Sequence, residues 1–253
     1  LYINRSPIVK THIMPKLKIF FFLVLSMIFA DLFSQEIIIE KDLKESPYAK
    51  KENGPNLKHF RHLYLDLEFF TGTEQTGTRI NYGSSYVTGA GFRYKLKLTE
   101  LYSIGYDLGY SRFNYNIRQE NSKFFPNNII HDKEKIVLHN LNLEFYNRIN
   151  LKKRGNQIGT YIDIGIYGAW VVGGRNITID AIDNSVYHSE KQRSIYRNLS
   201  YLNNFYAGLR ARFGINRYSL VAGWRLTPLL DDTEYSSSAS LSTLSAGLQI
   251  GLF

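Results

Sequence analysis

His131-Asp132 and Asp231-Asp232 set carboxylates beside an imidazole or beside each other, and His188-Ser189-Glu190 gathers the types of a base, a nucleophile and an acid in three positions. A carboxylate and a histidine converging on one water can draw a proton from it, and a serine becomes nucleophilic with a histidine in hydrogen-bond reach and an acid behind that histidine. Spacing counts against all three groups. Adjacent residues on an extended chain point to opposite sides, so solvated loop residues are the expectation. His139 is followed by Asn140 and has no serine nearby in its own stretch. The sequence contains no Gly-x-Ser-x-Gly, no Walker loop and no His/Asp cluster at metal spacing. Without cysteine it has no thiol nucleophile, thiolate metal site or disulfide. No catalytic residue, metal or cofactor is expected.

Other charges are spaced more regularly. Asp66, Glu68, Arg93, Lys95, Lys97, Asp107, Glu144, Arg148, Asp163, Arg210, Arg212 and Arg225 occupy alternate positions of segments whose intervening residues are largely apolar. If the apolar positions face outward, these face in. Buried charges cost several kcal/mol each unless paired and hydrogen-bonded, on the order of the penalty for any ion taken out of water. Both signs are present, so a salt-bridged interior is expected, with a proton or ion path along it as the functional alternative.

The elements that must position these residues are strands. Residues 242–253 alternate Leu244, Ala246, Leu248, Ile250 and Leu252 with Ser245, Gly247, Gln249 and Gly251, the period of two that marks a half-buried strand. The same pattern runs through residues 62–70, 86–98, 101–111, 136–151, 158–172, 205–215 and 218–227, which makes eight strands. Their joins alternate in length. Thr99-Glu100, residues 152–157 and Asn216-Arg217 are short, whereas 71–85, 112–135, 173–204 and 228–241 are long. Short turns on one side and long loops on the other, with an even strand count, describe a transmembrane barrel of the outer-membrane type. The fold class predicted is all-β, an eight-stranded antiparallel transmembrane β-barrel in an up-and-down meander. The longest loop, 173–204, itself partly alternates (Ile177, Ile179, Ile182), which predicts that strands five and six continue as a hairpin, either binding something or shielding the mouth.

Composition agrees. Aromatics are 15% of the 253 residues, with 19 Tyr and 16 Phe, while mean hydropathy is slightly negative. A barrel dilutes its apolar residues with interior polar ones and adds aromatic girdles. The formal charge of +9 falls to +6 once residues 1–34, with Arg5, Lys10, Lys16 and Lys18 against Asp31, are set aside. It is not clustered into the basic patch that nucleic acid requires, and no nucleic-acid partner is expected. Lys16 and Lys18 precede an apolar run, Ile19 to Ala30, too short to span a bilayer as a helix, which takes roughly 20 residues. Residues 14–34 therefore read as a cleaved signal peptide after a 13-residue stretch of upstream translation. Residues 35–60 read as a periplasmic linker and 61–253 as the barrel.

The signal peptide, the eight alternating strands, the short-turn/long-loop rhythm and the aromatic Phe253 together resemble the small outer-membrane β-barrel families, the PorT-like barrels and the membrane domain of OmpA-type proteins. Phe253 departs from their pattern by standing one position off the outward register held by Leu248, Ile250 and Leu252. The resemblance implies location in the outer membrane of a Gram-negative cell, with contacts to outer-membrane lipid, the barrel-insertion machinery and an envelope protein partner. A monomer is expected. The expected function is non-enzymatic, structural, adhesive or assembling with that partner. Two alternatives stand beside it. One is an outer-membrane hydrolase of lipid A or peptide with its site at the extracellular rim; Asp and His pairs at the rim are also what the omptin proteases use, on ten strands. The other is an accessory component of a secretion apparatus.

Overall fold

The computed structural model of the protein describes residues 53–72, 78–151, 155, 157–184, 189–231 and 241–253. The chain divides into two units, Leu1–Ala49 and Lys50–Phe253. The first lies outside the described residues, and with it the assignments made for residues 1–13, 14–34 and most of 35–60.

The second unit is all-β. Its strands are β1 (His59–Thr71), β2 (Tyr86–Lys97), β3 (Tyr102–Ile117), β4 (Lys133–Asn150), β5 (Thr160–Asn184), β6 (Ser189–Arg197), β7 (Phe205–Ile215), β8 (Tyr218–Arg225) and β9 (Leu244–Leu252). All nine form one antiparallel sheet. Pairings of β4 with β5, β5 with β7 and β1 with β9 close eight of them into a ring, leaving β6 paired to β5 alone among the described strands. Each ring strand joins the next in sequence, as a meander requires, and β9 lies against β1 with Leu67 facing Leu248.

Alternation along each strand sets the two faces. In β1, Leu63, Leu65, Leu67 and Phe69 are exposed, whereas His62, Tyr64, Asp66 and Glu68 between them are buried. The other strands repeat this, so the ring turns its aliphatic residues outward and its charges inward. Short joins sit at one end, hereafter the turn end. There Asn216, at a φ of 53°, takes the left-handed conformation that a two-residue connection needs, and its side chain accepts a hydrogen bond from the Gly159 amide at 3.0 Å.

The structure extends the predicted strands at the opposite, loop end. β3 runs on to Ile117 and β4 begins at Lys133, so the second long join shrinks to residues 118–132. The polarity of the two faces reverses there. Arg112, Asn114 and Asn116 take the outward positions and Phe113, Tyr115 and Ile117 the inward ones, opposite Leu138 and Ile136 of β4. The long loop does contain a hairpin, formed by β5 beyond residue 174 and β6. It returns as a separate ninth strand, because residues 198–204 leave the sheet before β7 begins.

Candidate functional site

Eight of the interior charges form one connected set. Arg93 and Asp107 are direct cross-strand partners of β2 and β3, and the guanidinium donates through Nε and Nη2 to the two carboxylate oxygens at 2.8 and 2.7 Å. Arg148 and Asp163 repeat that fork between β4 and β5 at 2.7 and 2.8 Å. Arg212 joins the two. Its Nη2 donates to Asp107 at 3.0 Å and to Glu144, and its Nη1 stands 3.9 Å from Asp163. Arg210 donates to Glu68 at 2.8 Å and lies 3.8 Å from Glu144, while Ser245 donates to the other Glu68 oxygen at 2.5 Å. Four arginines meet four carboxylates, so the set is neutral. That balance is what makes its burial tolerable, because breaking one member leaves an uncompensated charge.

The remaining predicted members stand apart. Lys95 donates to the Pro55 carbonyl at 2.5 Å and lies over the Phe60 ring. Arg225 binds the carbonyls of Thr227, Leu241 and Ser242 and so holds a loop rather than an acid. Lys97 pairs with Glu100 at the turn end at 2.6 Å. Asp66 is buried with an Oδ1 that accepts no hydrogen bond, facing Gln249 across the sheet, whose amide oxygen and nitrogen are likewise unpaired.

Tyrosines do much of the packing among these charges, a role the charge pattern alone did not reveal. Arg148 lies over the Tyr161 ring at 3.7 Å and Arg93 over Tyr64 at 4.9 Å, placements that add cation–π attraction between buried groups. Tyr161 also shares a hydrogen bond with Ser219 at 2.7 Å. Its ring fills the space that a Cβ on Gly214 would need, which is why the partner strand carries glycine there.

At the turn end the interior closes on aromatic rings. Phe60, Ile158 and Tyr161 cluster, and Phe253 meets Phe60 and His62 edge-on at 5.3 Å each. The off-register position of Phe253 thus puts its ring toward the interior side, where Gly251 leaves room for it, and Arg217 covers its face at 5.0 Å. The end of the predicted linker takes part as well: Gly54 bonds back to His59, and Lys95 and Lys97 hold the carbonyls of Pro55 and Asn56. Phe253→Ala is expected to cost about 1 kcal/mol, the scale of lost aromatic pairs at a half-exposed site, read as a small shift in the urea midpoint with the sheet unchanged by circular dichroism.

At the loop end an apolar core covers the charges. Phe70, Ile80, Val87, Tyr115, Ile117, Phe125, Ile136, Leu138, Val171, Tyr201, Tyr206, Leu229, Leu230 and Leu241 form one cluster drawn from strand ends and from the loops between them. Phe70 stacks on Tyr115 at 4.2 Å, and Phe125 from the 118–132 loop meets Tyr201 edge-on at 5.4 Å. A buried Lys123–Glu134 pair at 2.5 Å ties the same loop to β4, with Asn176 of β5 donating to the other Glu134 oxygen at 2.9 Å.

Of the rim residues with catalytic types, His131 finds a carboxylate. Its Nδ1 lies 2.9 Å from both oxygens of Asp180 on β5, rather than against Asp132. Its Nε2 is buried and meets no hydroxyl or other partner among the described residues. His139 pairs with the Tyr110 hydroxyl at 2.5 Å. Asp231 donates its amide to the Tyr201 carbonyl at 2.9 Å, while Asp232 and His188 lie outside the described residues. Among the described residues no group of three His, Asp or Glu side chains is placed to hold a metal ion. The chain matches no protein-family model, and no curated protein matches it.

Proposed function

We propose that residues 59–253 are an eight-stranded transmembrane β-barrel of a Gram-negative outer membrane, in the manner of the PorT-like and OmpA-type barrels that the sequence resembles. The barrel is sealed and non-enzymatic, and it holds a folded cap of loops at the cell surface for adhesion, envelope integrity or assembly with an envelope partner. The observation that carries this reading is an apolar outside round a charged inside, an order that reverses toward the loop end along β3 and β4. Over most of the ring Leu65, Leu143, Phe145, Ile166, Leu220 and Leu248 stand exposed outside while Arg93, Arg148 and Arg212 are buried inside. An apolar surface extending round a closed sheet far exceeds what a water-soluble monomer leaves bare, and hydrocarbon is the solvent it suits. Past Ser111, β3 and the facing part of β4 turn Phe113, Tyr115, Ile117, Ile136 and Leu138 inward and Arg112, Asn116, Lys133 and Lys135 outward, the order of a water-soluble protein. A strand leaving the bilayer needs that change. Closure at both ends, by the Phe60–Phe253 contacts and the loop-end core, supports a role without conduction.

Heat-modifiable migration on SDS gels, together with fractionation into the outer membrane, tests the location. A soluble, non-shifting chain overturns the reading. Ile166→Arg separates the two environments more sharply. Ile166 is 61% exposed near the middle of the band, so in vesicles the arginine is expected to cost about 2–4 kcal/mol in urea unfolding. In a water-soluble sheet the same change would be neutral. One feature favours a rim hydrolase, the His131–Asp180 pair. A loss of lipid or peptide hydrolysis in His131→Ala, against activity in the unaltered chain, would establish it.

A further inference from the structure

Beyond the apolar band, the charged side chains described on the outward face of β3, β4, β5 and β6 are all basic. Cross-strand register places residues on a common face, and a bulge at His139/Asn140 shifts β5 by one position there. Arg112 pairs with His139, Val137 with Arg175, Arg175 with Arg197, Lys135 with Ile177, Ile177 with Ile195, and Lys133 and Arg193 each with Ile179. Two acids described in this region, Glu134 and Asp180, take the opposite parity. Glu134 is buried against Lys123, and Asp180 holds His131. Arg112, Lys133, Arg175, Arg193 and Arg197 are exposed and Lys135 half-exposed, and none of the six forms an ion pair among the described residues. The patch begins where the band ends: Tyr110 and Leu141, both exposed, neighbour Arg112 and His139.

We infer that this face binds the phosphate groups of a phosphorylated glycolipid in the outer leaflet, with the acyl chains lying against the apolar band beneath. The inference rests on the membrane reading above, and adds the class of lipid and the residues that hold it. Two independent features converge on an amphiphile of that chemistry. Unpaired guanidinium groups suit phosphate, which they can grip through two parallel hydrogen bonds. Their position directly above an aliphatic and aromatic surface places them at headgroup depth. A soluble polyanion would satisfy the first feature but leave the adjoining band unused.

The test uses the full chain inserted into phosphatidylcholine nanodiscs doped with bisphosphorylated lipid A or with its dephosphorylated form, and counts retained lipid A by native mass spectrometry. Wild type is expected to retain the phosphorylated form preferentially, the preference falling with added salt. Arg112→Gln/Arg175→Gln/Arg197→Gln should reduce retention by roughly a hundredfold, since each basic group near an anionic surface contributes a factor of about five. These side chains are exposed, and an unchanged heat-modifiable shift shows that the variant has folded. Equal retention of the two lipids, or a variant that binds as wild type does, overturns the assignment while leaving the membrane reading intact. Preference for a soluble phosphorylated polysaccharide over lipid A also overturns it. A chain that never inserts overturns both.

Discussion

Arg212→Met is expected to lower the stability of the folded chain by about 3–5 kcal/mol, the cost of removing one partner from a buried ionic cluster. Arg212 is the residue that makes one network from two forks, since Arg93 keeps Asp107 and Arg148 keeps Asp163 without it. Glu144 has no such reserve. Its remaining cation, Arg210, lies 3.8 Å away and already serves Glu68, and its Oε1 accepts no hydrogen bond. The loss should therefore fall on Glu144, and a second substitution identifies it. Arg212→Met/Glu144→Met removes both charges and should recover most of the stability, because replacing a buried pair with apolar residues of similar volume is often neutral. Urea titration in lipid vesicles, followed by tryptophan fluorescence and by the heat-modifiable band, supplies the numbers. A single variant within about 1 kcal/mol of wild type would place Arg212 with the weak ion pairs of protein surfaces.

Phe125→Ala is expected to cost a similar amount, about 3–5 kcal/mol, the range for deleting a buried aromatic ring. Here the loss should be confined to the loop end. Phe125 is fully buried and meets Tyr201 from a different loop, and Tyr201 in turn accepts the Asp231 amide. One ring thus joins three inter-strand connections. In the variant, protease added to intact cells should cut within residues 118–132, whereas the unaltered chain resists there. The ring of strands should keep its heat-modifiable shift. Cleavage that is unchanged, or a lost shift, would mean that the cap and the ring do not behave as separable units.

The strands were legible because their apolar residues hold one parity for as long as the outside is apolar. Leu108 and Tyr110 obey it, and reading stopped at Ser111. Beyond that point the backbone alternation continues but Phe113, Tyr115 and Ile117 occupy the other parity, so a search for one apolar face sees a break where the strand goes on. The forks were within reach in part. Arg93 and Asp107 flank a short turn, and their pairing depends on a register that a one-residue slip would move to opposite faces. The junction at Arg212 was not. Its partners Asp107 and Glu144 lie on β3 and β4, whereas its sheet neighbours are β5 and β8. Contact across a ring's interior depends on how the ring closes, which no spacing along the chain records. The acid for His131 was missed for a related reason: Asp180 belongs to the part of β5 that passes beyond the ring.

The apolar core beyond the band also has a consequence in time. On the proposed membrane reading, a strand could slip back through hydrocarbon only after its loop-end segment had come apart, and that segment is tied to others through Phe125, Tyr201 and Leu230. Contacts that form late in folding mainly slow the reverse reaction. If the ring spans a membrane as proposed, the cap would work as a ratchet, leaving the speed of insertion largely unchanged and lengthening the lifetime of the inserted state.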